Sequence, residues 1–221
     1  MENVTEAVSN PFGMRPPCPH ACPDGDGRRA VFGYGDANAD FHVIGNHSGV
    51  HGGAATGVPF TDHPAGERVL GVLEATGFLL DRDGADLTLE NCFCSYRYLC
   101  CVPPGESPSP AQFREFERFF DAELRAIAAD VLVPVGAGAT RHVVEHYAAR
   151  PDRFDATTGG WHARPVRGRG FIVLPLADPN GWDEDDADAA VEAIEALLAT
   201  DYRQQADLGR FGPGGDPYYV R

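Results

Sequence analysis

Four apolar, β-favouring runs alternate with helical patterns along this chain, and that rhythm constrains its fold more than any other feature. Phe41, Val43 and Ile44 make the first run, and residues 92–102 (CFCSYRYLCCV) make a longer one that Pro103-Pro104-Gly105 stops. Residues 131–135 and 171–176 supply the third and fourth. Between them, residues 63–77 space Val69, Val72 and Leu73 as a helix does and end on Gly77. Residues 111–129 place Phe113, Phe116, Phe119, Phe120, Leu124 and Ile127 on one face; residues 140–149 and 186–200 read as two further helices. The pattern predicts a three-layer α/β fold, a central mostly parallel four-stranded sheet flanked by helices, which binds ligands at the carboxyl ends of its strands. A chain of 221 residues with 43% hydrophobic content suits one core, so residues 1–221 are expected to form a single domain. An extended segment, 1–40, and a tail, 202–221, are expected to wrap over its surface.

The first run leads into a glycine-rich stretch, Gly45 to Gly57, that closes on Phe60. Gly45, Gly49, Gly52, Gly53 and Gly57 are expected to leave backbone amides uncovered, with the Phe60 ring exposed as the lid of a hollow for a flat ligand. A ring packed inward, with the hollow filled by the chain itself, would remove that reading.

Charge qualifies what such a hollow can serve. The net charge is -15, and all 18 basic residues are arginine. An acidic, lysine-free surface is typical of proteins kept in molar salt, the alternative being an acidic protein merely biased toward arginine. Nucleic-acid binders usually carry a basic footprint. In molar salt, however, screening falls to ~3 Å, so only arginines at contact distance matter. Arg164, Arg167 and Arg169, beside His162, form the one dense basic segment. They read either as phosphate contacts or as a solvated loop. No apolar run is long enough for a membrane span or a signal peptide, so a cytoplasmic protein is expected, whose six cysteines are thiols, buried or bound to metal, rather than disulfides.

Residues 18–60, with CPHACPDGDGRR followed by the strand, Gly45-Asn46-His47-Ser48-Gly49 and Gly57-Val58-Pro59-Phe60, resemble the iron-sulfur uracil-DNA glycosylases, families four and five. The likeness extends through Cys101-Val102-Pro103-Pro104-Gly105 and Val133-Pro134-Val135-Gly136-Ala137 to about Leu198. It implies hydrolysis of the N-glycosidic bond of a deaminated or damaged base in DNA, single-stranded or with the base flipped out, by a monomer. A non-catalytic member that binds a nucleobase or a single strand is the alternative.

The resemblance also implies roles. Phe60 would stack on the base, with Gly45 and Gly49 contacting it through backbone. Asn46 stands where the family has a carboxylate; an amide orients a water but cannot take its proton. His47 and its neighbour His51 are candidates for that task. Arg97 falls where an edge-reading asparagine belongs, and it offers donors only. In Asp178-Pro179-Asn180, Asp178 replaces the family's histidine, either as an exchanged general base or as the cap of the next turn. Asn180 would contact substrate. For a [4Fe-4S] cluster the resemblance implies Cys18, Cys22 and Cys101, with Cys100 substituting for an absent later cysteine. Zinc on Cys18, His20, Cys22 and Cys101, or no metal, are the other readings.

Overall fold

A computed structural model describes residues 3–5, 10, 12–103, 105–148 and 160–210. Pro104 and the tail beyond residue 210 lie outside them. In chain order the strands are β1 (Tyr34–Gly35), β2 (Phe41–His47), β3 (Leu79–Asp83), β4 (Asp86–Leu89), β5 (Cys92–Tyr98), β6 (Val131–Pro134), β7 (Val166–Arg167) and β8 (Ile172–Val173). The helices are α1 (Ser48–His51), α2 (Pro64–Ala75), α3 (Pro110–Ile127), α4 (Gly136–Tyr147), α5 (Glu184–Leu198) and α6 (Tyr202–Arg210). The main sheet has the order β1-β5-β2-β6-β8-β7. Its four central strands pair in parallel, and β1 and β7 add antiparallel edges of two residues each. The predicted four-stranded parallel sheet is therefore present, with two short edge strands that periodicity cannot detect.

The helices begin where the sequence supplies caps. Ser109 and Gln112 close a capping box on α3 with Pro110 in its first turn, and Asp183 and Asp186 do the same for α5. The acidic run 183–186 is thus a helix start, where the dipole favours carboxylates. Helix α4 begins at Gly136, four residues earlier than the sequence pattern indicates, because Gly136 adopts φ +81° to turn the chain out of β6. The tail does not simply wrap the surface: it opens with α6, whose Tyr202 hydroxyl donates to Asp40. A hairpin of β3 and β4, turning on Gly84 at φ +62°, was masked in the sequence by its exposed, charged strand.

Alternation along β2 divides the core between two faces. Phe41 and Val43 pack with Val131, Val133 and Leu174 and with α2 and α5. Ile44 packs with Leu132, Val173 and the inner faces of α3 and α4. Each such side chain contributes roughly 1.5–3 kcal/mol by leaving water. Between β2, β5 and α3 runs a buried polar chain. His42 Nε2 lies 2.7 Å from Ser95 Oγ, Ser95 bonds Glu123, and Glu123 accepts from the Gly33 amide at 3.1 Å. Burial drives His42 down to about 3, which keeps the ring neutral, and pushes Glu123 up to about 7, so that its carboxyl holds its proton at any pH below that.

Cys18 is bonded to Cys100 and Cys22 to Cys101, which overturns the expectation of unpaired thiols. The physical cause is local. Residues 28–31 run beside 99–101, with Val31 donating to Leu99 and Cys101 donating to Arg29. This brings the Cα atoms to 5.3 and 4.9 Å, within bridging range. Cys92 and Cys94 on β5 stay free and buried.

Candidate active site

The connection after β2 leads to β5 on one side, whereas the chain after β6 continues to β8 on the other. The crevice between the carboxyl ends of β2 and β6 is consequently the switch point of the sheet, where folds of this kind hold ligands. Asn46 and His51 form one wall, Gly136 and Gly138 the opposite wall, and Arg97 closes the end of β5. Arg97 Nη1 donates to the Gly138 carbonyl at 2.9 Å and reaches Asn46 Oδ1 at 3.5 Å, while its guanidinium lies 4.6 Å over the Phe113 ring. The glycines are required here. A Cβ on Gly138 would sit 2.9 Å from Asn46 Oδ1, and one on Gly45 would sit 2.5 Å from the Tyr96 ring.

His51 is the group that sequence reasoning underweighted. Its Nδ1 accepts from the Asn46 amide at 3.2 Å, so the proton of the neutral ring is carried on Nε2. A Cβ on Gly136 would lie 3.7 Å from that nitrogen, which places the donor at the crevice. Burial lowers His51 to about 4, partly offset by the charge of Asp178, and burial likewise lowers His47 to about 4. Both rings are thus neutral at pH 7. As bases they are far weaker than a histidine poised near that pH. His47 turns over α1 toward Gly49, with Nδ1 buried and unpartnered, as is Ser48 Oγ.

Phe60 is not an exposed lid. Its ring is fully buried, 5.7 Å from the His51 ring at an interplanar angle of 28° and 5.4 Å from Tyr96. The chain also uses the glycine amides itself. Gly52 donates to Ser48, Gly57 to Gly53, and Gly53 to Thr61 and Asp62. Small residues are needed there because backbone crosses backbone: a Cβ on Gly52 would fall 2.0 Å from the Thr61 carbonyl. The hollow read from this segment is filled, and the ring supports His51 from below.

Asp178 is exposed and caps the turn Pro179–Gly181, its Oδ1 accepting at 3.0 Å from both the amide and the side chain of Asn180. The capping role therefore holds in the structure, with its charge still felt by His51. The three arginines are exposed and spread along an edge rather than gathered. Strand β7 runs antiparallel to β8, so Arg164 lies toward the carboxyl end of β8 while Arg167, opposite Ile172, and Arg169 lie toward its start.

Cysteines 18, 22, 100 and 101 do meet, yet as two pairs on two faces. Cys100 and Cys101 are successive residues of an extended chain and point oppositely. Cys18 and Cys100 pack with Tyr98 and Phe116, and Cys22 and Cys101 pack in the larger core. A single cluster needs four free sulfurs converging on one point; the same four cysteines meet here as two pairs, and no cluster or zinc site is shown among the described residues.

The fold defines an α/β protein with a central, mostly parallel sheet whose strand order reverses between β2 and β6. The chain belongs to the uracil DNA glycosylase superfamily, whose family model matches residues 32–198. It is 28% identical over 141 residues to a type-5 uracil-DNA glycosylase of Thermus thermophilus, covering 62% of this chain and 64% of that protein. It is 27% identical over 113 residues to the type-5 enzyme of Mycobacterium bovis and 26% identical over 113 to that of Mycobacterium leprae. Each of these matches covers 50% of this chain, and 42% and 49% of those proteins. The matches span less than two thirds of each relative. Among the described residues no helix is long and apolar enough to cross a membrane.

Proposed function

We propose that this protein hydrolyses the N-glycosidic bond of a deaminated base, uracil first among candidates, in DNA. The observation that carries the reading is the neutral His51, its Nε2 proton held toward the switch-point crevice by the Asn46 amide, with the Arg97 charge beside Asn46. Departure of a base leaves negative charge on its carbonyl oxygens. A fixed N–H donor and a nearby cation in a partly dry crevice stabilise that charge as it develops. Asn46 orients the attacking water rather than deprotonating it, which suffices when the sugar cation forms before attack. Phe60 holds the His51 ring flat, and a base reaches Phe60 itself only if His51 swings aside. Asp178 acts through its charge on His51, and Arg164 is the member of the basic trio nearest the carboxyl ends of the strands. The similarity to type-5 enzymes supports DNA as the partner. The acidic, lysine-free composition supports action in high salt.

Base release from uracil-, hypoxanthine- and xanthine-containing oligonucleotides, single- and double-stranded, at high and low potassium chloride, tests the reading. Release that falls in His51→Ala and Arg97→Gln is expected. Loss of release in Asp178→Asn assigns that carboxylate a step in the chemistry; unchanged release leaves it a cap. A second reading, binding without cleavage, is favoured by one observation: Asp178, the one carboxylate among the described residues whose charge His51 registers, is engaged as a cap. Binding of a single strand by a protein that releases no base decides for it.

A further inference from the structure

The contact between α3 and α4 carries a cluster that the proposed chemistry does not use. His142 and His146 lie four residues apart on one face of α4, opposite Glu117 of α3. Glu117 Oε1 is 3.7 Å from His146 Nε2 and 3.9 Å from His142 Nε2, and the three ligand atoms lie within 4.8 Å of one another. These separations exceed hydrogen-bonding distance. The tautomer sharpens the problem. His146 Nδ1 sits 2.8 Å from the His142 carbonyl, which can only accept, so Nδ1 carries the proton and Nε2 presents a lone pair to the carboxylate. His142 Nε2 is buried without a partner. In its neutral ring His146 thus turns an acceptor nitrogen toward the Glu117 carboxylate, itself an acceptor, beside the unpartnered His142 Nε2.

We propose that Glu117, His142 and His146 bind a divalent ion of the zinc class. Two imidazoles and a carboxylate form a known three-protein-ligand set, with bonds of about 2.0–2.2 Å. Tetrahedral bonds of that length set ligand atoms about 3.4 Å apart, so the two carboxylate separations contract by up to about half an ångström and the separation of the imidazole nitrogens, at most 4.8 Å, by up to about 1.4 Å. The bond from His146 to a backbone carbonyl is the outer-shell contact that orients a metal-binding histidine. His146 has 48% of its side chain exposed, so solvent completes the coordination. The Arg97 charge felt at His142 opposes a cation there, and the Glu117 carboxylate among the ligands offsets it. Bound there, the ion ties α3 to the helix whose first turn supplies Gly136 and Gly138, the far wall of the crevice.

The experiment uses the full chain, stripped with a chelator that is then removed, and titrated with zinc ion. Expected are one tightly bound equivalent and a rise in Tm. His146→Ala, a half-exposed position with little folding risk, should lose more than the ~10–100-fold in affinity typical of removing an outer-shell partner, and Glu117→Gln should weaken binding in the same direction. Cobalt ion in place of zinc should show ligand-field absorption without a thiolate charge-transfer band. Failure to bind stoichiometrically, equal binding by His146→Ala, or a thiolate band that moves the ion to cysteines would each overturn the proposal.

Discussion

Replacing Gly138 by alanine separates the work of the crevice from the stability of the scaffold. Gly138 is the third residue of α4 and has an ordinary helical backbone, so the new Cβ itself adds no strain there. Removing a glycine from a helix is worth about 0.5–1 kcal/mol. Its Cβ, however, would sit 2.9 Å from Oδ1 and 3.1 Å from Cγ and Nδ2 of Asn46, against roughly 3.5 Å for a relaxed contact. The obstacle is the end of a rotatable side chain, so the amide retreats by about half an ångström or more and leaves Arg97. The cost falls on position rather than on folding. Displacements near 1 Å cost on the order of a hundredfold in rate. Single-turnover release of uracil from a single-stranded oligonucleotide should therefore drop by about 10–100-fold, while urea unfolding shows stability unchanged or slightly raised. Full activity in this variant would refute a role for Asn46. A loss of more than about 2 kcal/mol of stability would show that the Cβ meets backbone instead.

Glu123 keeps its proton up to about pH 7 in the fold but releases it near 4.5 when unfolded, so its penalty is absent below 4.5, grows through that window and is constant above it. Glu123→Gln, which retains an acceptor for the Gly33 amide, should match the wild type at pH 4.5 and exceed it by about 3 kcal/mol at pH 8 in urea melts; a difference that is flat with pH refutes the argument. The disulfides span sequence separations of 82 and 79 and nearly duplicate one another. Chain entropy predicts a loss of about 2 kcal/mol on removing either, because the survivor still closes the long loop, but about 6–7 kcal/mol on removing both. Additive losses in guanidinium melts, or more than two free thiols in the unfolded, unreduced protein, contradict the pairing. Arg97→Gln should lower the rate of base release more than it raises KM, since the charge is needed most as the base departs; an effect confined to KM would make Arg97 a binding contact only.

Periodicity was enough to read the four central strands, the helices between them and the end of the sheet at which to look, because spacing of two or about three and a half residues is a local property of the chain. Resemblance was enough to point to Asn46 in the Gly45 to Gly49 stretch and to Arg97 ahead of Cys101 to Gly105, and the structure brings those two within reach of each other. Tertiary packing alone decided the rest. Phe60 faces inward because Tyr96 and His51, distant in sequence or across a turn, fill the space above it. The proton on His51 is set by one amide at 3.2 Å, and Asp178 became a cap through a bond to its own turn. The cysteines paired on opposite faces because adjacent residues of an extended chain must diverge. Glu117 and the two histidines of α4 come from helices separated by a whole strand, and no spacing in the chain announces that they share a point in space.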